Sequence, residues 1–286
     1  MSRFIRRVDV VSEAMENIVL KSAHYSILGP LAELLSANQV EAYLVGGAVR
    51  DALLGRETKD IDIAVRTDAH EFARTLADNL KASFVSLDVE RDIARIVGGT
   101  GDERYEIDVA HLQGDLNSDL ARRDFTIDAM AVPIGGSPDG ELTVFDPFNG
   151  RGDLQTGTIR AVQSDVIRQD PVRSMRAVRL AASLRFEIES GTKELICRDA
   201  TLINSTSPER IRDELLKTLA EKGARDSVRL MDELGLLSVL IPEIDDSRGV
   251  TQPKEHYYDV FNHLVETVGF VEQILDGEDE GSYIQE

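Results

Sequence analysis

Apolar and polar residues alternate along the chain with two different periods. In the first half, short stretches repeat every second residue, the spacing of a half-buried strand. "VEAYLV", "DIDIAV", "SFVSLD", "IARIVG" and "YEIDVAHL" all read this way, and "LTVFDPFNG" is β-like. Between them lie helical stretches. "GPLAELLSANQV" puts Leu31, Leu34 and Leu35 on one face. "GGAVRDALLG" is a tight turn into a short helix stopped by Gly55. "TDAHEFARTLADNLKA" is amphipathic, with Thr67 or Asp68 as cap and Phe72, Leu76 and Leu80 facing inward. "RDFTIDAMAV" is predicted as a further helix.

From about residue 165 the helical period takes over. "DPVRSMRAVRLAASL", "SPERIRDELLKTLA" and "ARDSVRLMDELGLLSVL" each predict a helix. Pro171 and Pro208 are placed in first turns, where a missing N–H costs little, and Ser207 is a good cap. The pattern therefore predicts an α+β head followed by an all-α part. The expected boundaries are a helical arm over 1–25, a head over 26–157, a helical neck over 158–225 and a helical body over 226–286. No internal repeat is visible, and the acidic end is the only biased segment.

Composition narrows the class. A chain of 286 residues with 42% apolar and 29% charged residues can build two domains and a sizeable core. No run of about 18 apolar residues predicts a membrane span. The start reads as mature sequence, and one cysteine, Cys197, fits a reducing cytoplasm. A net charge of −20 argues against a generally sticky nucleic-acid surface. The average hides a local reversal: residues 160–185 carry six arginines against two aspartates. A polyanion at one site is compatible with that patch.

The chemistry concentrates in residues 43–65, "YLVGGAVRDALLGRETKDIDIAV". Asp60 and Asp62 are two apart on a predicted strand, so both carboxylates share a face with no obvious basic partner nearby. Water or a cation must separate them. "YEIDVAHL" offers Glu106 and Asp108 in the same phase, and Asp108 is preferred as a third acid. Three carboxylates on adjacent strands make a hard oxygen site suited to Mg²⁺. Gly46 and Gly47 open a helix start, an anion-binding feature, with Arg50 one turn in. A lone D-x-D is usually a solvated strand edge; G-G-x-x-R-D ahead of it in a strand–helix–strand frame argues for a site.

These residues resemble the polymerase β-like nucleotidyltransferases. More narrowly, they are similar to the class II tRNA CCA-adding enzyme and bacterial poly(A) polymerase family. The motifs run in order over about two thirds of the chain: "LVGGAVRDALLG" with "DIDIAV", "DLARRDFTIDAMA", "FDPFNGRGDL", "QDPVRSMRAVRLAASLRF" and "SPERIRDELLKTL". The resemblance implies a polymerase β-like sheet with flanking helices, then a helical neck and body. It implies that Asp60, Asp62 and Asp108 bind Mg²⁺ and that Gly46, Gly47 and Arg50 hold a triphosphate. Arg123 would contact the nucleotide, and Asp124 would help position the ribose. Asp170 and Arg173 would read the base, with Arg176 and Arg179 on the nucleotide or its phosphates. An acceptor beside a donor suits the amine and ring nitrogen shared by cytosine and adenine; uracil and guanine place a carbonyl there instead.

Two positions depart from the family pattern. Gln169 stands where Glu is usual, and Asp128 where Asn is usual. Both bear on nucleotide preference. "QPKEHYYDVFNHLVETV" resembles the opening of an HD-type helical domain, but without a following His-Asp pair its His256 and His263 are assigned to structure. The stop at residue 286 implies a shortened piece or a chain lacking much of the usual tRNA-holding body. The expected activity is template-independent addition of C and A from CTP and ATP to the tRNA 3′ end, in the cytoplasm. Poly(A) addition, CC- or A-addition alone, or a silent RNA-binding module are the alternatives. Oligomeric state is not legible.

Overall fold

The computed structural model describes residues 25–56, 60–101, 104–134, 143–252, 258–275 and 277. The predicted arm over 1–25 therefore lies outside the described residues except for Tyr25, which opens a helix. His256 also lies outside them. The chain divides into two compact units, Met1–Thr156 and Gly157–Glu286.

The first unit begins with α1 (Tyr25–Asn38), β1 (Ala42–Val45), α2 (Gly47–Leu53), β2 (Asp60–Val65) and α3 (Ala69–Leu80). Next come β3 (Ser83–Asp88), β4 (Ile93–Gly98), β5 (Tyr105–His111), α4 (Leu116–Ala121), β6 (Ala131–Pro133) and α5 (Gly150–Thr156). The sheet order is β3-β4-β5-β2-β1-β6. Within this sheet β2 and β5 run parallel, and the other neighbours are antiparallel.

Alternation explains the two faces of the sheet. Ile61, Ile63 and Val65 of β2, Ala94 and Ile96 of β4, and Ile107 and Val109 of β5 are buried. Helix α3 packs on β4 and β5 and turns Phe72, Ala73, Leu76 and Ala77 inward. Each such large side chain contributes about 1.5–3 kcal/mol by burial. Asp68 caps α3, its carboxylate accepting from Glu71 N. The intervening residues, the acids among them, fall on the opposite face.

One predicted helix is corrected. "RDFTIDAMAV" forms only a 3₁₀ turn, Thr126–Asp128, and then becomes β6, which pairs with β1. Residues 124–132 are buried throughout. A segment buried on every side has no polar face to keep a helix amphipathic, and strand pairing satisfies its backbone instead. Of "LTVFDPFNG", Phe145 makes an isolated bridge to Ala131.

Among the described residues, the second unit is helical apart from a two-stranded parallel ribbon, β7 (Thr158–Ile159) with β8 (Glu187–Ile188). Its helices are α6 (Val166–Gln169), α7 (Arg173–Leu184), α8 (Ser190–Asp199), α9 (Pro208–Leu219), α10 (Ala224–Glu233), α11 (Leu236–Leu240) and α12 (Val260–Leu275). Helix α7 starts at Arg173 rather than in the Pro171 turn. The residue before a proline is driven from the α region, and Asp170 is extended (φ −152°, ψ 98°). The predicted helix over 224–240 breaks at Gly235, whose φ of 72° only glycine adopts readily. Pro208 does stand at the start of α9. Arg225 and Arg229 both grip Glu266, tying α10 to α12.

Candidate active site

Strand register decides which acids meet. Asp62 is the register partner of Asp108 across the parallel pair β2–β5, and Asp60 that of Glu106. Partners in register share a face, so Asp62 and Asp108 stand side by side, with Asp60 and Glu106 the next pair along. Asp108 in turn faces Arg95 of β4. Arg95 holds Asp108 with two bonds, Nε–Oδ1 at 2.7 Å and Nη2–Oδ2 at 2.9 Å. Its Nη1 lies 2.6 Å from Glu106 Oε2. One arginine therefore bridges both candidates for the third carboxylate. Sequence reasoning missed Arg95: its alternation with buried Ala94 and Ile96 puts it on the other face of β4, and the β4–β5 pairing brings that face to the acids.

The glycine pair lies where β1 ends. Gly46 has φ 70°, and a Cβ there would fall 2.6 Å from Arg123 Nη1 and 2.9 Å from Asp62 Oδ2. Glycine is required both by the left-handed backbone and by the space these two groups take. The expectation that the D-x-D acids lack a basic neighbour is corrected here: Arg123 and Asp62 converge on Gly46 from sequence positions far apart. Arg123 Nε is buried and makes no hydrogen bond. A buried guanidinium nitrogen without an acceptor is costly, and an anionic ligand would relieve it. Asp124 is buried, and its Oδ1 accepts from Phe125 N at 2.9 Å.

Gly47 sits against a second arginine. A Cβ on Gly47 would lie 3.3 Å from Arg50 Nη2. Arg50 is already engaged: Nε and Nη2 bond Asp51 at 2.9 and 3.0 Å, and Nη1 bonds Asp128 Oδ1 at 2.7 Å. Asp128, the departure from the family's Asn, is thus the buried counter-charge of Arg50.

In the second unit, Asp170, Arg173, Arg176 and Arg179 have separate surroundings. Asp170 is held by Arg210 of α9, Nη1–Oδ1 at 3.1 Å and Nη2–Oδ2 at 2.7 Å. Arg173 Nη1 donates to Val166 O at 3.2 Å and to Gln169 Oε1 at 3.4 Å. Gln169, the other departure, keeps an acceptor for Arg173 and also donates to Asp165. Arg179 Nε bonds Glu214 Oε2 at 2.6 Å. Arg176 is half-buried. The partners Arg210 and Glu214 lie in "SPERIRDELLKTL", so the motif that sequence reasoning used only for family likeness supplies them.

Among the described residues, no three His, Cys, Asp or Glu side chains converge on one cation position. The fit to a divalent ion rests on the donors and the cradle. Asp62 and Asp108 are hard oxygen donors in register; Arg95 bonds both Asp108 oxygens, and the lack of a side chain on Gly46 leaves room there for Asp62 Oδ2 and Arg123 Nη1.

The "Poly A polymerase head domain" profile matches residues 42–160. A second, "Probable RNA and SrmB- binding site of polymerase A", matches residues 185–248. The chain belongs to the class II CCA-adding enzyme and bacterial poly(A) polymerase family. A CC-adding tRNA nucleotidyltransferase of Geobacter sulfurreducens is 42% identical over 190 residues, 66% of this chain and 43% of that protein. An A-adding tRNA nucleotidyltransferase of Deinococcus radiodurans is 35% identical over 232 residues, 79% of this chain and 51% of that protein. The chain thus spans about half the length of these relatives. The structure of a Thermotoga maritima CCA-adding enzyme complexed with tRNA superposes with a TM-score of 0.72 at 28% identity, over 96% of this chain and 62% of that one. The sheet head with flanking helices followed by a helical unit is the architecture of this family. No described helix is long and apolar enough to cross a membrane.

Proposed function

We propose that this chain extends the 3′ end of tRNA, adding C and A from CTP and ATP and releasing pyrophosphate. The observation that carries the reading is the placement of Asp62 beside Asp108 in register, with Arg123 and Asp62 converging on Gly46. Asp60, Asp62 and Asp108 would hold Mg²⁺, which when bound polarises phosphate oxygens and offsets the charge of leaving pyrophosphate. The terminal 3′ oxygen bonds to the α-phosphorus as the bond to pyrophosphate breaks, and a carboxylate of this set takes the hydroxyl proton. Arg123 binds the phosphates through a guanidinium that lacks a full set of protein acceptors. Gly46 and Gly47 let the triphosphate approach the backbone. Asp124 positions the ribose. In the second unit, Asp170 and Arg173 read the base, oriented by Arg210 and Gln169. Arg176 and Arg179 contact the nucleotide. A cytoplasmic location goes with this reading.

Addition of CC alone is the second reading, favoured by the 42% identity to a protein that carries that name. tRNA lacking CCA, incubated in Mg²⁺ with CTP alone, ATP alone and both, separates the cases by product length. Three added residues are expected only with both nucleotides. Two with CTP and no A thereafter supports the second reading, and a long ladder with ATP supports poly(A) addition. Asp60→Ala is expected to abolish incorporation while tRNA binding persists. Retained incorporation would overturn the role of the D-x-D acids.

A further inference from the structure

We propose that Asp128 is a positioning residue that sets nucleotide affinity by neutralising Arg50. The inference rests on the reading of the Gly46–Gly47 loop as a triphosphate site. Two arginines flank that loop, Arg123 at Gly46 and Arg50 at Gly47. They differ in charge balance. Arg123 faces the loop with a buried Nε that finds no acceptor. Arg50 is held between Asp51 on one side and Asp128 on the other.

Taken by themselves, the paired groups Arg50, Asp51 and Asp128 carry one positive and two negative formal charges. All are shielded from water: the side chains of Arg50, Asp51 and Asp128 are 12, 15 and 2% exposed. Burial weakens solvent screening, so the excess negative charge acts on whatever enters beside Gly47. A triphosphate meets a cluster that repels it at the one place where the loop would otherwise offer a second cation. Arg50 thus fixes the loop's shape, and Arg123 supplies the attraction. An amide at position 128 would keep the acceptor for Arg50 Nη1 and remove the charge. Asp128, one of the two positions at which this chain departs from the family pattern, therefore loosens nucleotide binding without touching a metal-binding acid.

The test is equilibrium binding of Mg·CTP, tripolyphosphate and cytidine to the wild-type chain and to Asp128→Asn, at low and high salt, with thermal unfolding as a folding control. Asp128→Asn is expected to bind CTP and tripolyphosphate about three- to tenfold more tightly, the scale of one partly screened unit charge. Cytidine affinity should not move, and the gain should shrink with salt. In turnover, KM for CTP falls while kcat changes little. Asp128→Ser, which keeps a hydroxyl acceptor, should shift affinity the same way and serves if the amide variant unfolds. Unchanged or weaker CTP binding, or a cytidine shift equal to the CTP shift, overturns the role of Asp128. A wild-type chain that binds neither CTP nor tripolyphosphate overturns the triphosphate reading as well.

Discussion

The two units place their candidate site residues in opposite ways. In the first, the decisive residues are distant in sequence and adjacent in space: Asp62 and Asp108 meet across a parallel strand pair, and Arg123 reaches Gly46. In the second, Asp170, Arg173, Arg176 and Arg179 are neighbours in sequence, spaced by three. Three of them take their contacts from different places, Asp170 from Arg210, Arg173 from Gln169 and Val166, and Arg179 from Glu214. A sheet converts register into proximity, so one displaced backbone position disrupts the whole group. The α7 helix and the extended residue ahead of it present each side chain to its own surroundings, so a lost partner affects one side chain at a time.

The sharpest way to break this contrast is at Gly46. Gly46→Ala forces a left-handed backbone on a residue with a Cβ and drives that Cβ against Arg123 and Asp62. A loss of about 1–3 kcal/mol in stability is expected. Incorporation should fall by about 10²-fold or more, because reacting groups misplaced by an ångström lose that much. Urea unfolding and single-turnover incorporation read the two effects. Near-normal activity would show that the first unit tolerates displacement as the second does.

A smaller effect is expected at Arg210. Arg210→Met releases the Asp170 carboxylate but leaves Arg173 with its own acceptors. Because the pair is partly exposed, the stability change should be about 0.5–1 kcal/mol. The preference for CTP over UTP should relax by severalfold, with total turnover less affected. A double-mutant cycle with Asp170→Asn measures the coupling. Equal loss on all nucleotides would place Arg210 in support of the fold alone.

The smallest effect is a pH dependence in the second unit. Arg198 beside Asp199, and then Arg168, hold its carboxyl below the ordinary aspartate value against the opposing pull of burial. A depressed folded pKa means that the stabilisation is complete above the unfolded value of about 4 and is lost as pH falls through the folded value. Unfolding midpoints between pH 7 and 3 should therefore fall more steeply for the wild-type chain than for Asp199→Asn. Parallel curves would remove Asp199 from the acid response.

Much of the first unit was legible because strand alternation is a local signal. β2, β3, β4 and β5 follow from residues spaced by two, and that same spacing put Asp60, Asp62, Glu106 and Asp108 on common faces. The segment "RDFTIDAMAV" misled because its composition suits a helix, while its neighbours bury it on every side. Arg95 was hidden because its role depends on which strand lies next to β5.

The order of elements, the acids on one face, the glycine pair and the family likeness were determined by sequence alone, since each depends on local periodicity or on an ordered set of short motifs. Tertiary structure decided the partners: Arg95 for Asp108, Asp128 for Arg50, Arg123 for the Gly46 cradle and Arg210 for Asp170. The physical reason is that an ion pair forms between side chains brought together by packing, and no spacing rule within one segment encodes which distant charge will arrive.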